Sequence, residues 1–304
     1  MTQKFLTIFA TMIRTLFILT ILMATLGASA QPFLHDQPIK DGTDRRVYST
    51  IQTHVGDSYA NTWNVGSAKK LSGKIYVLEV WLTRPGTSWS KTDMGNVQYK
   101  INNALAWLQR MAARYSVAVE FEKGSFHGDG GGVEMSGLPK SYDDCANQPL
   151  LLPRALKVIG YEDVIQCYNR LKEISGTDNI IVLVLINNDG WSNANQFSSL
   201  HATNHFRDYF LESVNLFRTD DGEPTNGQTI AHEILHLFGA WDMYDGQASN
   251  AASKWANQYY PNEIMLQVSS SLDDLSISPL TAWLVGLTSE YHEWYWDFIR
   301  EEYK

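Results

Sequence analysis

The chain has 304 residues, 44% of them hydrophobic and 12% aromatic, so it can bury a large core as one big domain or two modest ones. It has 24 basic and 33 acidic residues, which gives a formal net charge of −9. Nucleic acid and anionic membrane surfaces are therefore disfavoured as partners, because both repel an acidic protein.

The first 30 residues differ in composition from the rest of the chain. Their only charges are Lys4 and Arg14, and the segment ends with the small residues Ala28-Ser29-Ala30 after an apolar run. This pattern predicts a secretory signal peptide that is cleaved before Gln31, and hence a secreted or periplasmic protein with a net charge of −11. An uncleaved anchor helix is the alternative, but the uncharged stretch has about 13 residues and a bilayer needs roughly 20. No stable membrane insertion is expected after cleavage.

The remaining chain is predicted to form an N-terminal arm followed by one folded domain over residues 73–304. Residues 31–72 are polar and weakly periodic, which predicts an N-terminal arm or a short propeptide. The pattern beyond it predicts strands over 74–84, 117–125, 179–187 and 210–218, and helices over 97–115, within 153–175, from Thr225 or Asn226, and after Ser278. This order indicates an α+β protein with a mixed sheet, packed helices and a smaller helical C-terminal part.

The two cysteines are Cys145 and Cys167. In an exported chain an isolated pair is expected to form one disulfide, closing a loop of about 22 residues. Two buried free thiols are the alternative.

The segment AHEILHLFGAWDMYD combines titratable side chains with an apolar helical run. Residues four apart lie on one face of a helix, so His232 and His236 can direct their imidazoles to one point, and two imidazoles suit a zinc ion. Glu233 cannot share their direction, and is instead placed to act as general base on a zinc-bound water.

A catalytic zinc needs a third protein ligand. Gly239 can end the helix and let the chain turn back, so that Asp242 supplies that ligand. Glu263 and Glu290 are available as rivals, but neither has the helical setting that a downstream glutamate ligand requires.

The motif HEILHLFGAWD resembles the H-E-x-x-H-x-x-G-x-x-H/D signature of the metzincin clan of zinc endopeptidases. Its final aspartate places the resemblance in the branch that includes snapalysin-like bacterial proteases. The segment PNEIMLQ, at 261–267, resembles the methionine turn of that clan, with Met265 as its methionine. The resemblance is specific only from 229 to 267, and it does not cover 31–73 or the insertion at 126–175.

The resemblance implies a metzincin-like zincin fold over residues 73–304, with an active-site helix, a Met-turn and a C-terminal helical subdomain. It implies zinc as cofactor and a protein or peptide as substrate. By analogy NIIVLVLINNDGWSNAN forms the upper rim of the cleft and pairs with an extended substrate. Trp191 in that segment either lines a subsite or belongs to an ordinary turn.

Other residues have two interpretations each. Tyr244 either donates its hydroxyl to the developing oxyanion or packs in the core. His127 and Asp129 either hold a second metal or belong to a mobile glycine-rich loop, which is favoured. For latency, a cysteine switch is excluded because no cysteine precedes Cys145, and Asp57 in THVGDSY has a faint resemblance to the aspartate switch of astacin-like proteases.

The leading hypothesis is a secreted zinc-dependent endopeptidase. One alternative is a zinc amidase acting on cell-wall or small amide substrates, and another is a secreted binding protein with a structural or vestigial zinc site. A structural zinc site has four protein ligands and no base, so Glu233 and the missing fourth ligand favour an enzyme.

Overall fold

The computed structural model describes residues 66–139, 144, 150–197, 206–244, 250–267, 269, 271–292 and 295. The predicted signal peptide, nearly all of the arm, Asp57 and Cys145 lie outside these ranges, so the predictions that concern them are untested.

The described residues form seven strands, seven α-helices and one 3-10 helix. The strands are β1 (Gly73–Thr83), β2 (Val119–Phe126), β3 (Val133–Glu134), β4 (Ile180–Gly190), β5 (Asn193–Asn195), β6 (Ser213–Asp220) and β7 (Glu223–Pro224). The α-helices are α1 (Lys91–Arg114), α2 (Leu151–Val158), α3 (Val164–Ser175), α4 (Phe206–Tyr209), α5 (Gly227–Leu237), α6 (Asn250–Tyr259) and α7 (Pro279–Leu284), and the 3-10 helix is Leu272–Asp274.

All seven strands belong to one mixed sheet, which confirms the predicted α+β class. The strand order is β2-β1-β4-β6-β5, with β3 beside β1 and β7 beside β6. The long strands β1, β2, β4 and β6 are parallel, whereas β5 and β7 are antiparallel to β6. No helix within the described ranges is both long and apolar enough to cross a membrane.

The central strand β4 separates two hydrophobic cores. Ile181, Leu183 and Leu185 point to a core built with α1 and α5, which we call the site-side core. The alternate residues from Ile180 to Ile186 point to a second core, built with α2 and α3. Because both faces of the sheet are covered, the strand is continuously apolar instead of alternating.

The placement of this strand corrects one prediction. The run NIIVLVLIN was expected at the rim of a cleft, but β4 lies between β1 and β6 and has no free edge. The edge strand is β5, at the end of the same segment, and it is short and polar as edge strands commonly are. The prediction is therefore wrong for 179–187 and compatible only with Asn193–Asn195.

Three helices differ from the sequence-based expectation, and one of them is the four-residue helix α4, which was not predicted. Helix α1 begins at Lys91 instead of residue 97, because Ser90 caps it by accepting a hydrogen bond from the Asp93 backbone N–H at 3.0 Å. Helix α6 was not predicted. Its buried residues include Ala252 and Ala256, and such small side chains give little hydrophobic signal.

Cys167 lies buried in α3, and burial raises the pKa of its thiol to about 12. Its proposed partner, Cys145, lies outside the described residues, so the disulfide remains a prediction.

Candidate metal centre

The site is built on α5, which packs against α1 and against the strands β5 and β6. Asn226, one of the two starts that the sequence allowed, caps the helix by accepting a hydrogen bond from the Thr229 backbone N–H at 2.9 Å. Ile230, Ile234 and Leu237 are buried and hold the helix against the core. This leaves the polar face of the helix, which carries the two histidines, directed away from the core.

The helix ends at Leu237, and the chain then reverses. Gly239 has a φ of 99°, a conformation that favours glycine, and the Ala240 N–H donates back to the Leu235 carbonyl at 3.1 Å. This reversal returns the following residues to the histidine-bearing face, so the role predicted for Gly239 is confirmed.

The side chains of His232, His236 and Asp242 converge on one point. The two Nε2 atoms are 3.1 Å apart, and Asp242 Oδ1 lies 3.1 Å from Nε2 of His232 and 3.2 Å from Nε2 of His236. These three residues are the one group of three or more potential ligands that converges within the described part of the chain. The predicted meeting of these side chains is confirmed.

Hydrogen bonds on the far side of each ring fix the imidazoles. Nδ1 of His232 lies 3.0 Å from the Ile264 carbonyl, and Nδ1 of His236 lies 2.9 Å from the Ala240 carbonyl. A carbonyl oxygen only accepts, so Nδ1 must carry the proton, and in the neutral ring Nε2 then presents a lone pair. Metal-ligating histidines have this pattern, with the second nitrogen donating to a fixed acceptor.

The three atoms fit a cation. Two imidazole lone pairs and a carboxylate oxygen are all acceptors, so nothing within the triangle can donate between them when the rings are neutral. Ligands about 2.0 to 2.1 Å from a tetrahedral metal lie about 3.3 Å apart, close to the observed sides of the triangle. A His-His-Asp group of this geometry can bind a metal ion.

Asp242 and the two histidines shift one another's pKa values so that their charged forms are favoured. Burial lowers the pKa of His236, but the attraction of Asp242 outweighs it and raises the pKa to about 9. Burial likewise opposes the charge of Asp242, yet the two adjacent imidazoles hold its pKa well below the usual range. The carboxylate therefore gives the site a fixed negative charge that attracts a cation.

Glu233 lies beside this group without belonging to the triangle. Burial raises its pKa, while the nearby His232 and His236 lower it. Its side chain is only partly exposed. The sequence predicted a carboxylate next to the ligands but pointing elsewhere, and the structure agrees with that placement.

Tyr244 also reaches the site. Its pKa is raised above the usual range, first by burial and then by Asp242 and Glu233, and its side chain hydrogen-bonds to Asp242. The tyrosine therefore contacts a predicted ligand, while its role as oxyanion donor remains a prediction.

The segment that resembles a Met-turn packs directly against the helix. Met265 is fully buried in the site-side core, and its carbonyl accepts a hydrogen bond from the Met243 N–H at 2.8 Å. The preceding residue, Ile264, supplies the carbonyl that holds His232. Sequence reasoning placed Met265 beneath the site but missed Ile264, because a backbone carbonyl has no sequence signal.

The rival and secondary sites do not join the triangle. Glu263 is fully buried within the turn, and Glu290 is exposed and pairs with His292 at 3.3 Å. His127 and Asp129 lie in an exposed loop, so no second metal site is supported there. Trp191 lies in the turn between β4 and β5, and the structure does not test its role in a subsite.

No protein-family model matches the chain, and no curated protein matches its sequence. The functional argument therefore depends on the residues of the site.

Proposed function

We propose that the protein is a secreted zinc-dependent endopeptidase, with His232, His236 and Asp242 as the zinc ligands and Glu233 as the general base. The observation that supports this most directly is the triangle of three acceptor atoms, with both imidazoles fixed from behind. A structural zinc site has four protein ligands, whereas a catalytic one has three and an open position. Three ligands from the described residues favour the catalytic type.

The donor set favours zinc over the other common divalent ions. Calcium and magnesium prefer oxygen ligands in larger number, whereas two imidazoles and one carboxylate suit zinc. When bound, zinc polarises a substrate carbonyl and lowers the pKa of a water molecule to about 7.

The chain's own residues supply the remaining functions. Glu233 accepts the proton of the attacking water and delivers it to the leaving amine. Tyr244, whose hydroxyl contacts Asp242 in the metal-free protein, releases that hydrogen bond and donates its one proton to the oxygen on which negative charge develops, a contribution typically of about 3 to 4 kcal/mol for one donor of this kind.

The edge strand β5 provides a backbone surface for substrate. It packs against α5 and, among the described strands, pairs only with β6. An extended peptide can add to its other edge through main-chain hydrogen bonds, which suits a peptide over a small amide.

The test is cleavage of a denatured protein by zinc-loaded protein, with and without phenanthroline, alongside Glu233→Gln. Glu290→Gln is a matched control, since it makes the same chemical change on an exposed side chain. We expect chelator-sensitive cleavage by the wild type and by the control, and none by Glu233→Gln. Cleavage that survives the chelator and Glu233→Gln would contradict the proposal, and hydrolysis of cell-wall amides alone would indicate the amidase.

A further inference from the structure

Glu263 is a buried carboxylate with an unusual set of partners. It is 0% exposed, and no basic side chain of the described residues forms an ion pair with it. Its Oε1 accepts a hydrogen bond from the Met265 N–H at 3.3 Å, and its Oε2 accepts one from the Ser278 N–H. Burial raises the pKa of Glu263, and these two backbone contacts oppose that effect together with hydrogen bonds from the side chains of Ser278 and Thr281.

The partners of Glu263 lie on two segments, of which one contacts the metal centre through the Ile264 carbonyl. One is the turn that contains Ile264 and Met265, and the other begins α7 at Ser278. Next to the carboxylate, the Ile264 N–H donates to the Ser276 carbonyl at 3.0 Å, and the Ser276 N–H donates to the Asn262 carbonyl at 2.8 Å. Glu263 thus joins the turn to the segment that leads into α7.

This turn also orients His232, one of the proposed metal ligands. The Ile264 carbonyl accepts from Nδ1 of His232, so the position of this backbone atom sets the direction of the ring. A second connection comes from Gln228, one helical turn before His232, whose amide pairs with the Gln267 carbonyl at 2.9 Å and the Ser269 N–H at 2.7 Å. The turn is therefore fixed on both sides of Ile264.

We infer that Glu263 is a positioning residue for the metal centre, which acts on His232 through the Ile264 carbonyl. This inference depends on the metal site of the proposed function but not on hydrolysis. Glu263 itself ligates nothing, and its effect on the metal is indirect.

Glutamine cannot replace this carboxylate. Each oxygen of Glu263 accepts from a different backbone N–H, whereas a glutamine has one acceptor oxygen and one NH₂ donor. Glu263→Gln therefore creates a donor facing a donor, either at Met265 or at Ser278. The turn must shift, and the Ile264 carbonyl shifts with it.

Glu212 offers a matched control. It is also 0% exposed, and its two oxygens accept from the Ala68 N–H and the Phe197 N–H, each at 2.7 Å. Glu212→Gln thus makes the same conflict in an equally buried carboxylate whose partners are not part of the metal centre.

The experiment compares metal binding by the metal-free wild type, Glu263→Gln and Glu212→Gln. Zinc affinity is measured by competition with a chromophoric chelator, ligand geometry by the visible absorption of the Co²⁺-loaded protein, and stability by thermal unfolding without metal. We expect Glu263→Gln to weaken zinc binding about 10- to 100-fold, the range typical of lost outer-shell partners, and to alter the Co²⁺ spectrum. Glu212→Gln should lower the melting temperature while its affinity and spectrum stay at wild-type values.

Wild-type affinity and spectrum in Glu263→Gln would overturn the inference, as would an equal loss of affinity in Glu212→Gln. If Glu263→Gln does not fold, Glu263→Asp replaces it, since aspartate keeps both acceptor oxygens but is one methylene shorter. Weaker zinc binding by Glu263→Asp supports the inference, and unchanged binding overturns it. A wild type that binds zinc but cleaves nothing contradicts the proposed function alone, whereas one that binds no zinc contradicts both.

Discussion

Helices α1 and α5 pack against each other on the same face of the sheet, yet they differ in what their surfaces contain. Helix α1 has 24 residues, and its buried residues, which lie between Val97 and Ala112, are all apolar. Helix α5 has only 11 residues, and its apolar face is accompanied by a polar one that carries the two histidines and Glu233. The comparison indicates that α1 mainly supplies stability, whereas α5 also carries the residues of the proposed metal site. Substitutions in the two helices should therefore have separable effects.

The largest expected effect concerns the polar face of α5. Glu233→Gln should lower kcat/KM for peptide hydrolysis about 10²- to 10⁴-fold, because the amide cannot accept a proton. Zinc stoichiometry should stay at that of the wild type, since Glu233 lies outside the ligand triangle. Steady-state kinetics and metal analysis measure both quantities, and retention of a tenth of wild-type turnover would remove Glu233 from the role of base.

The next effect concerns the ligand that follows α5. Asp242→Ala should weaken zinc binding by about 100-fold or more, since loss of a ligand exceeds the cost of losing an outer-shell partner. Asp242→His should restore part of the zinc affinity that Asp242→Ala loses. Equilibrium dialysis with metal analysis tests this, with Asp273→Ala as the control because Asp273 is exposed and pairs with Arg110. Stoichiometric, tight zinc in Asp242→Ala would exclude Asp242 as a ligand.

Helix α1 should show the opposite behaviour. Leu108 is 0% exposed in the site-side core, so Leu108→Ala should lower the free energy of unfolding by about 2 to 5 kcal/mol. The folded variant should bind zinc with wild-type affinity. Urea denaturation and chelator competition give the two values, and a zinc affinity that falls with stability would show that the two helices are not separable.

Zinc binding by the histidines of α5 should also depend on pH, because protons compete with the metal for the ring nitrogens. The pKa of His236 is raised to about 9 in the metal-free protein, so protons compete with zinc for Nε2 below that pH. Zinc affinity should be greatest above pH 9 and should fall about tenfold, or more, for each unit below it. Competition titrations at pH 8, 7 and 6 measure the slope. An affinity independent of pH would mean that Nε2 of His236 does not bind the metal.

The smallest effect is expected on the surface of α1. Arg110 pairs with Asp273 at 2.8 Å, but both side chains are more than half exposed. Exposed pairs contribute about 0 to 1 kcal/mol, so Asp273→Asn should change the melting temperature little and zinc affinity not at all. Differential scanning calorimetry is sensitive enough to decide. A loss of stability as large as that of Leu108→Ala would mean that the pair has a structural role.

Several features of the site could be predicted because they depend on near neighbours in the chain. The spacing of His232 and His236, the cap at Asn226 and the reversal at Gly239 all follow from helix geometry over a few residues. Asp242 could be predicted for the same reason, since the reversal returns it to the same helix face. The long strands were also recognisable, because their apolar runs and alternation are local patterns.

Only the tertiary structure determined the order of the strands and the residues that hold the proposed ligands in place. The order of the sheet places β4 at its centre and β5 at its edge, which no local pattern encodes. Three hydrogen bonds that support the site join residues 15 to 41 positions apart in the chain. They are made by Ile264, Glu263 and Gln228. A sequence specifies the type of each side chain, but which backbone atom meets it across such a separation depends on how the whole chain packs. The proposed ligands could therefore be predicted from the sequence, whereas the residues that hold them in place could not.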